Sequence, residues 1–534
     1  MSKAPFWVEA APAFHWNKNS TDPVFNNNPN NWYNGSDIVW LLVSSMLVLI
    51  TIPGVGLLYA GTSSRARRSP LTLLALSFMT CGVVALQWFI FGYSITFSKG
   101  SAFWGGSHHF LLLNVEEMPG PPGFDTVARG TAIPQLLHVF YECMLACFAA
   151  VLISGAVVGK RTMHHFLVFS FIWTTAVYCP IARWSWSPYG WSYDMALDFA
   201  GGSVIHLTSA TSAAMYIHYD DIVGGIARLA RCIFRPGKRQ SSSIDEASID
   251  ESEDKVYSVY FAIIGTALLW FGWFGFNGSS LSVSLRTVAA CVSTFLAGCA
   301  GGCAWTGSDF LMYGFAERQW RFSITSYCNG TVAGLVAITP AAGFVGHKAA
   351  ILIGLLAGCL CAVGDGILQS RVFRMRDDLS IINIHGLGGL LGMLMTGIFA
   401  RKDIANLDGF TVIEGGWIRE KNWIQLAYQV GIAGACIGYA AVVTFLIMLV
   451  LDGITRLFCG MNVRTKHGTS DGYNLVPWEI DDMVVIQSNG GRRNAGQEPI
   501  DQSSFEMHTF AASRALVGDS QTTDEEDRRR WRPR

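Results

Sequence analysis

The sequence predicts an all-α polytopic membrane protein with eleven transmembrane helices. Three observations lead there. Charged residues make up 14% of the 534, where a soluble domain carries about 25%. Hydrophobic residues reach 51%, mean hydropathy is +0.33, and there are 56 glycines and 18 tryptophans. Stretches of about 20 apolar residues, the helical length that crosses a hydrocarbon core of about 30 Å, recur along the chain. This balance excludes a large water-facing enzyme, and a net charge of -1 gives no electrostatic footprint for nucleic acid. The 13 cysteines include no Cys-x-x-Cys pair, and several, such as Cys143 and Cys147, sit inside apolar runs. That placement opposes both a disulfide framework and a zinc site and suits buried, inert thiols.

Residues 1–37 are polar and Asn-rich and lack the basic-then-apolar order of a cleavable signal. They form an extracellular segment ahead of a self-inserting first helix. The transmembrane domain occupies 38–451. Its first helix covers 38–61 and is followed by Arg65, Arg67 and Arg68; the second covers 71–96. The third, 131–159, ends at Lys160 and Arg161; the fourth, 165–183, ends near Trp184 and Trp186. The fifth, 197–218, opens at Asp198 and leads into a cytoplasmic loop, 219–255, that is first basic and then rich in Ser, Asp and Glu. The sixth covers 256–277; the seventh, 284–313, precedes Arg318 and Arg321. The eighth covers 323–345; the ninth, 348–370, precedes Arg371, Arg374 and Arg376; the tenth and eleventh cover 381–400 and 425–451. Basic residues thus follow the odd-numbered helices, although the loop after the tenth also holds Arg401, Lys402, Arg419 and Lys421, and this bias puts the N-terminus outside and the C-terminus in the cytoplasm. The sequons at Asn19 and Asn34 fall on the outer side. Residues 452–534 form a cytoplasmic tail whose distal part has a disordered composition.

Ionisable residues inside spanning helices are costly, so each is a functional candidate. They are His138 and Glu142 in the third helix, Asp198 and His206 in the fifth, Asp365 in the ninth and His385 in the tenth. His206 lies eight residues past Asp198, roughly 12 Å along a helix, and His385 lies seven past Asp378, roughly 10 Å. Both reach mid-membrane depth, five helices apart, in matching places of two halves. A pseudo-two-fold inverted five-helix repeat produces that pattern and puts a site at the repeat interface. The two halves show no strong sequence similarity, so the repeat rests on depth. Glycines flank both histidines and permit close helix packing. Two histidines fall short of the three protein ligands of a catalytic zinc, and no cofactor motif is present. The sixth helix ends in Trp270-Phe-Gly-Trp-Phe-Gly-Phe276-Asn-Gly-Ser-Ser280. Aromatics there serve as an interfacial belt or, with a hydroxyl, as a mouth for a small cation.

At these residues the chain resembles the ammonium transporter family, which includes methylammonium permeases and Rhesus proteins. The likeness spans roughly 35–480 and is carried by Asp198 through His206, by Gly330 through Gly343, by His385 through Ala400 and by Trp270 through Ser280. A fungal ammonium permease at the plasma membrane fits the Asn-rich start and long tail. The resemblance implies the ammonium transporter fold, a homotrimer and one pore per subunit. It implies an outer ammonium site at Trp186 and Ser280, with Asp198 shaping the mouth. It makes Tyr141 and Phe276 gate residues and His206 and His385 the pore pair. Leu145 replaces a second gate aromatic, leaving Phe276 to face an aliphatic side chain. Glu142 stands where glutamine is usual: a proton or cation modifier, or else a packed neutral carboxyl or one exposed at the trimer interface. Ser380 stands where an aspartate often precedes the tenth-helix histidine, and the tail departs from the family pattern.

The expected function is transport of ammonium or ammonia across the bilayer. Burying a bare ion costs tens of kcal/mol by idealised estimates, and ammonium, unlike potassium, escapes that cost by losing a proton. The alternative is an ammonium sensor that signals through cytoplasmic regulators of the tail. No nucleophile–base pair, phosphate loop or metal constellation supports an enzyme.

Overall fold

The computed structural model describes residues 33–62, 70–115, 119–120, 133–157, 161–234, 259–279, 283–318, 320–368, 377 and 379–459. Eleven long helical runs lie among them, beside short turns of helix at Phe110–Leu112, Lys402–Ala405, Asn406–Asp408 and Trp417–Glu420. The long runs are α1 (Gly35–Thr62), α2 (70–97), α3 (Gln135–Val157), α4 (Met163–Trp186), α5 (202–234), α6 (Val259–Gly278), α7 (Leu285–Glu317), α8 (Ile324–Ile338), α9 (His347–Leu368), α10 (Ile382–Phe399) and α11 (Trp423–Cys459). Among the described residues, nine runs are long and apolar enough to cross a membrane. The exceptions are α8, with 15 residues, and α5, whose Tyr, His and Asp residues dilute its apolar character. A two-residue antiparallel ladder pairs Pro119–Gly120 with Ile133–Pro134 ahead of α3.

Several boundaries differ from the sequence expectation. The α5 run starts at Gly202, because the chain from Asp198 to Gly201 forms its cap, and it continues to Phe234. The expected loop at 219–255 therefore begins as helix. Pro340 lacks an N–H and ends α8 at Ile338, after which 339–345 make turns. The α11 helix carries on through Cys459, so the first residues of the expected tail are helical.

The runs pack side by side with α3 at the centre. Its apolar window is 89% buried, against 33% for α11, so α3 is shielded from lipid and can carry polar side chains. The α1 and α6 helices pack closely. A Cβ at Gly265 would lie 2.4 Å from the Leu58 backbone, and one at Gly272 2.5 Å from the Leu47 carbonyl. Only hydrogen fits there, as in other small-residue membrane contacts. Cross-links mark the bundle ends. Arg183 of α4 donates to the carbonyls of Thr96, Ser98 and Ser101 where α2 ends. Trp40 near the start of α1 donates to the carbonyl of Gly278 at the end of α6. Arg161, between α3 and α4, binds Asp220 of α5 and Asp452 of α11 at the opposite end. The described cysteines are free thiols; most are at least partly buried, but Cys303 and Cys359 are exposed.

Candidate functional site

Two helix starts build the site. Before α5, the Asp198 carboxylate accepts the N–H groups of Gly201 (2.8 Å), Gly202 (2.6 Å), Ser203 (2.8 Å) and Val204 (3.3 Å) and the Ser203 hydroxyl (2.6 Å). Gly201 turns the chain at φ 112°, and one π-helical turn, Gly202–Leu207, carries His206. Before α10, the Asp377 carboxylate accepts the N–H groups of Ile381 (2.8 Å), Ile382 (2.7 Å) and Asn383 (3.2 Å). Ser380 turns the chain at φ 52°, and the π-helical turn Ile382–Leu387 carries His385. The spacing is the same in both copies: the positive-φ residue three after the aspartate, the histidine eight after it. Helix N-termini leave orphan N–H groups that a carboxylate satisfies. Wide π turns are a common way of aiming a functional side chain.

This corrects one expectation. Ser380 does not stand in for the aspartate; Asp377 is the aspartate, and Ser380 matches Gly201, its hydroxyl donating to Asp365 at 2.6 Å. Asp198 holds the backbone of the His206 turn, and its acceptor capacity is taken up there rather than left open toward a cation.

The two histidines meet. Their Nδ1 atoms lie 3.2 Å apart and their rings stack at 5.2 Å between centroids, tilted by 30°. Between neutral imidazoles that bond leaves one Nε2 bare and the other protonated, so the pair offers one acceptor and one donor to a permeant. His206 Nε2 is buried without a hydrogen-bond partner. A file of rings continues from His206: Trp273 stacks on it at 5.6 Å and Phe276 at 6.0 Å. Trp273 is fixed by donating Nε1 to the Thr339 hydroxyl at 2.9 Å.

Tyr141, Leu145 and Phe276 are all buried where α3 meets α6. The Tyr141 hydroxyl donates to the Phe276 carbonyl at 3.1 Å and is in turn contacted by the Ser279 hydroxyl. The ring against Phe276 comes from Phe148, edge-to-face at 5.1 Å. Phe148 also meets Trp273 at 5.7 Å and His206 at 6.4 Å. Phe276 therefore does not face only an aliphatic side chain: it meets the ring of Phe148, one turn along α3 and three residues past Leu145. Trp186 ends α4 half-buried and donates its indole N–H to the Asp198 carbonyl at 3.0 Å, which brings the expected mouth to the first cap. Ser280 lies outside the described residues. Glu142 is buried on α3 beside His138, at 3.6 Å from its Nε2. Among the described residues no group of His, Cys, Asp and Glu could hold a metal ion.

Among the described residues, this apolar helical bundle encloses a buried file of rings that ends in paired imidazoles. Residues 39–462 match the model of the Ammonium Transporter Family, and the chain belongs to that family. It is 37% identical over 434 residues to ammonium transporter 1 of Schizosaccharomyces pombe, covering 80% of this chain and 79% of that one. To ammonium transporter MEP2 of Saccharomyces cerevisiae it is 33% identical over 435 residues, covering 80% of each. It also resembles the crystal structure of Candida albicans Mep2, with a TM-score of 0.68 at 35% identity, covering 81% of this chain and 88% of that one. These relatives are transporters, not enzymes.

Proposed function

We propose that this chain carries ammonium across a membrane, passing it as ammonia along the file from Phe276 to His206 and His385. The observation that carries the reading is the buried Nδ1–Nδ1 contact of His206 and His385 beneath the packed rings of Phe148, Phe276 and Trp273. Such a conduit is dry and lined by weak dipoles, so a bare potassium or ammonium ion meets the full desolvation penalty. Ammonium meets its aromatic mouth at Trp186 and Ser280, where ring faces attract a cation by about 0.5–2 kcal/mol. It sheds a proton near the gate formed by Tyr141, Leu145 and Phe276. The neutral molecule then exchanges hydrogen bonds with the histidine pair, and the shared imidazole bond is also a route for the proton.

All eleven helices cross the bilayer in this reading, with the N-terminus outside, in a homotrimer at the plasma membrane. The two cap-and-histidine motifs, opening helices of opposite direction, support the inverted repeat. Uptake of labelled methylammonium by permease-deficient cells, with a potassium control, tests the function. The wild-type chain should give saturable uptake without potassium entry. Replacing both histidines, His206→Ala with His385→Ala, should abolish uptake or its selectivity; normal selective uptake by that double variant would sink the mechanism. Binding without flux would instead assign a sensor.

A further inference from the structure

A second polar file runs through the core beside the conduit, and the transport mechanism does not use it. It starts in the segment after α2, where exposed His108 packs against buried His109 at 4.7 Å. His109 Nδ1 lies 3.1 Å from the Leu113 carbonyl, which can only accept, so Nδ1 carries the proton and Nε2 is the acceptor. The Gln135 amide nitrogen lies 3.2 Å from that Nε2 and donates to it. Its other hydrogen goes to the Tyr93 hydroxyl at 3.3 Å. Tyr93, with its oxygen so occupied, turns its own O–H to His138 Nδ1 at 3.1 Å. His138 must then carry its proton on Nε2, which faces Glu142 Oε1 at 3.6 Å. Gln135 donates both outward to His109 and inward to Tyr93; from Gln135 to Tyr93 to His138 the donors point inward, and the last points at a carboxyl.

Glu142 is buried, and its second oxygen has no hydrogen-bond partner. Among the described residues it pairs with no lysine or arginine. The groups facing it are His138 and Tyr141 on its own helix, Tyr93 from α2 and Tyr178 from α4, whose buried hydroxyl is also unpartnered. An ionised carboxylate is tolerated in such a place only with donors aimed at it, and one N–H at 3.6 Å is a marginal set. Either protonation state is therefore within reach of the other.

We propose that Glu142 is a proton-binding site poised by the oriented donors of Gln135, Tyr93 and His138, and that its charge sets how readily a cation occupies the neighbouring gate at Tyr141. Loading is a simple transfer: the carboxylate takes one proton, forming O–H, from the bulk or from ammonium, which leaves as ammonia. The anionic form favours a cation at Tyr141, and the neutral form does not.

Infrared difference spectroscopy of the full-length protein in liposomes reads the carbonyl stretch of a protonated buried carboxyl during a pH titration. The expected result is a titrating band that Glu142→Gln removes and Tyr93→Phe displaces along the pH axis. A band that titrates without ammonium assigns the bulk as source; one that responds only to added ammonium assigns the permeant. Absence of any band lost in Glu142→Gln overturns the proposal. The second arm is methylammonium uptake against external pH, which rests on the transport reading while the spectroscopic arm does not. Glu142→Gln should flatten the pH profile and Glu142→Asp should restore a slope. A Glu142→Gln profile parallel to wild type overturns the coupling to the gate.

Discussion

Phe148 shows how far one side chain can change a conduit. Its ring contacts Phe276, Trp273 and His206, so it sits between the proposed gate and the histidine pair. An edge-to-face pair adds about 0.5–1.5 kcal/mol beyond its buried area. Phe148→Leu keeps an apolar plug but removes these edges and leaves a small void beside His206. The expected outcome is retained methylammonium uptake with measurable potassium entry, read in the two-ion uptake assay. Adding Leu145→Phe should restore part of the selectivity by returning a ring to the same wall of α3. The departure at Leu145 was legible in the sequence because it breaks a motif; the ring contributed by Phe148 was not. A ring three residues along a buried helix reads as ordinary core, and only the tertiary contact with α6 gives it a role. Trp273 was missed for the same reason, lying inside an aromatic run that also suits an interfacial belt.

At the scale of the element, the unit is a cap, a left-handed residue and a π turn that aims a histidine. Gly201 and Ser380 occupy equivalent places, but their chemistry differs. A Cβ at Gly201 would sit 2.8 Å from Ile205 side-chain carbons at a φ of 112°, so Gly201→Ala should cost about 1–2 kcal/mol or more and disturb the His206 turn. Ser380 tolerates its positive φ while bonding Asp365, and Ser380→Gly should be close to neutral as relieved backbone strain offsets the lost bond. Thermal melts of the detergent-solubilised variants measure both. Asp377→Asn keeps one acceptor oxygen and strands N–H groups of the cap, which should cost about 1–3 kcal/mol and lower uptake through a misplaced His385. The eight-residue spacing of aspartate and histidine was present in the sequence twice. Reading depth from Asp378 and an expected aspartate from Ser380 hid it, because a cap is defined by which N–H groups a carboxylate reaches.

At the scale of the whole molecule, helix ends are tied by buried charge. Arg286 at the start of α7 donates to the Gly343 carbonyl (2.9 Å), to Asp408 (3.0 Å) and to the Thr411 hydroxyl (2.9 Å). Its guanidinium lies 4.9 Å from the Phe199 ring and 4.8 Å from Phe344. One side chain thus joins α7, the turns after α8, the loop before α11 and the segment that carries the Asp198 cap. The apolar spans were legible from composition; this knot was not, since Asp408 is 122 residues from Arg286. The Arg401–Asp403 pair nearby is exposed. The hydrogen bond from Arg401 holds the Asp403 carboxyl below its ordinary pKa. Its contribution is therefore present at neutral pH and lost as pH falls through that lowered value, and exposed pairs are worth about 0–1 kcal/mol. The two pairs should separate in melts at low and high salt. Asp403→Asn should shift the melting temperature little, and salt should erase the difference. Arg286→Leu leaves a buried carboxylate unpaired, a loss of about 3–5 kcal/mol that salt does not screen. If the stranded charge is the cause, adding Asp408→Asn to Arg286→Leu should recover part of the melting temperature. If the cause is lost packing against Phe199 and Phe344, the second substitution should recover none.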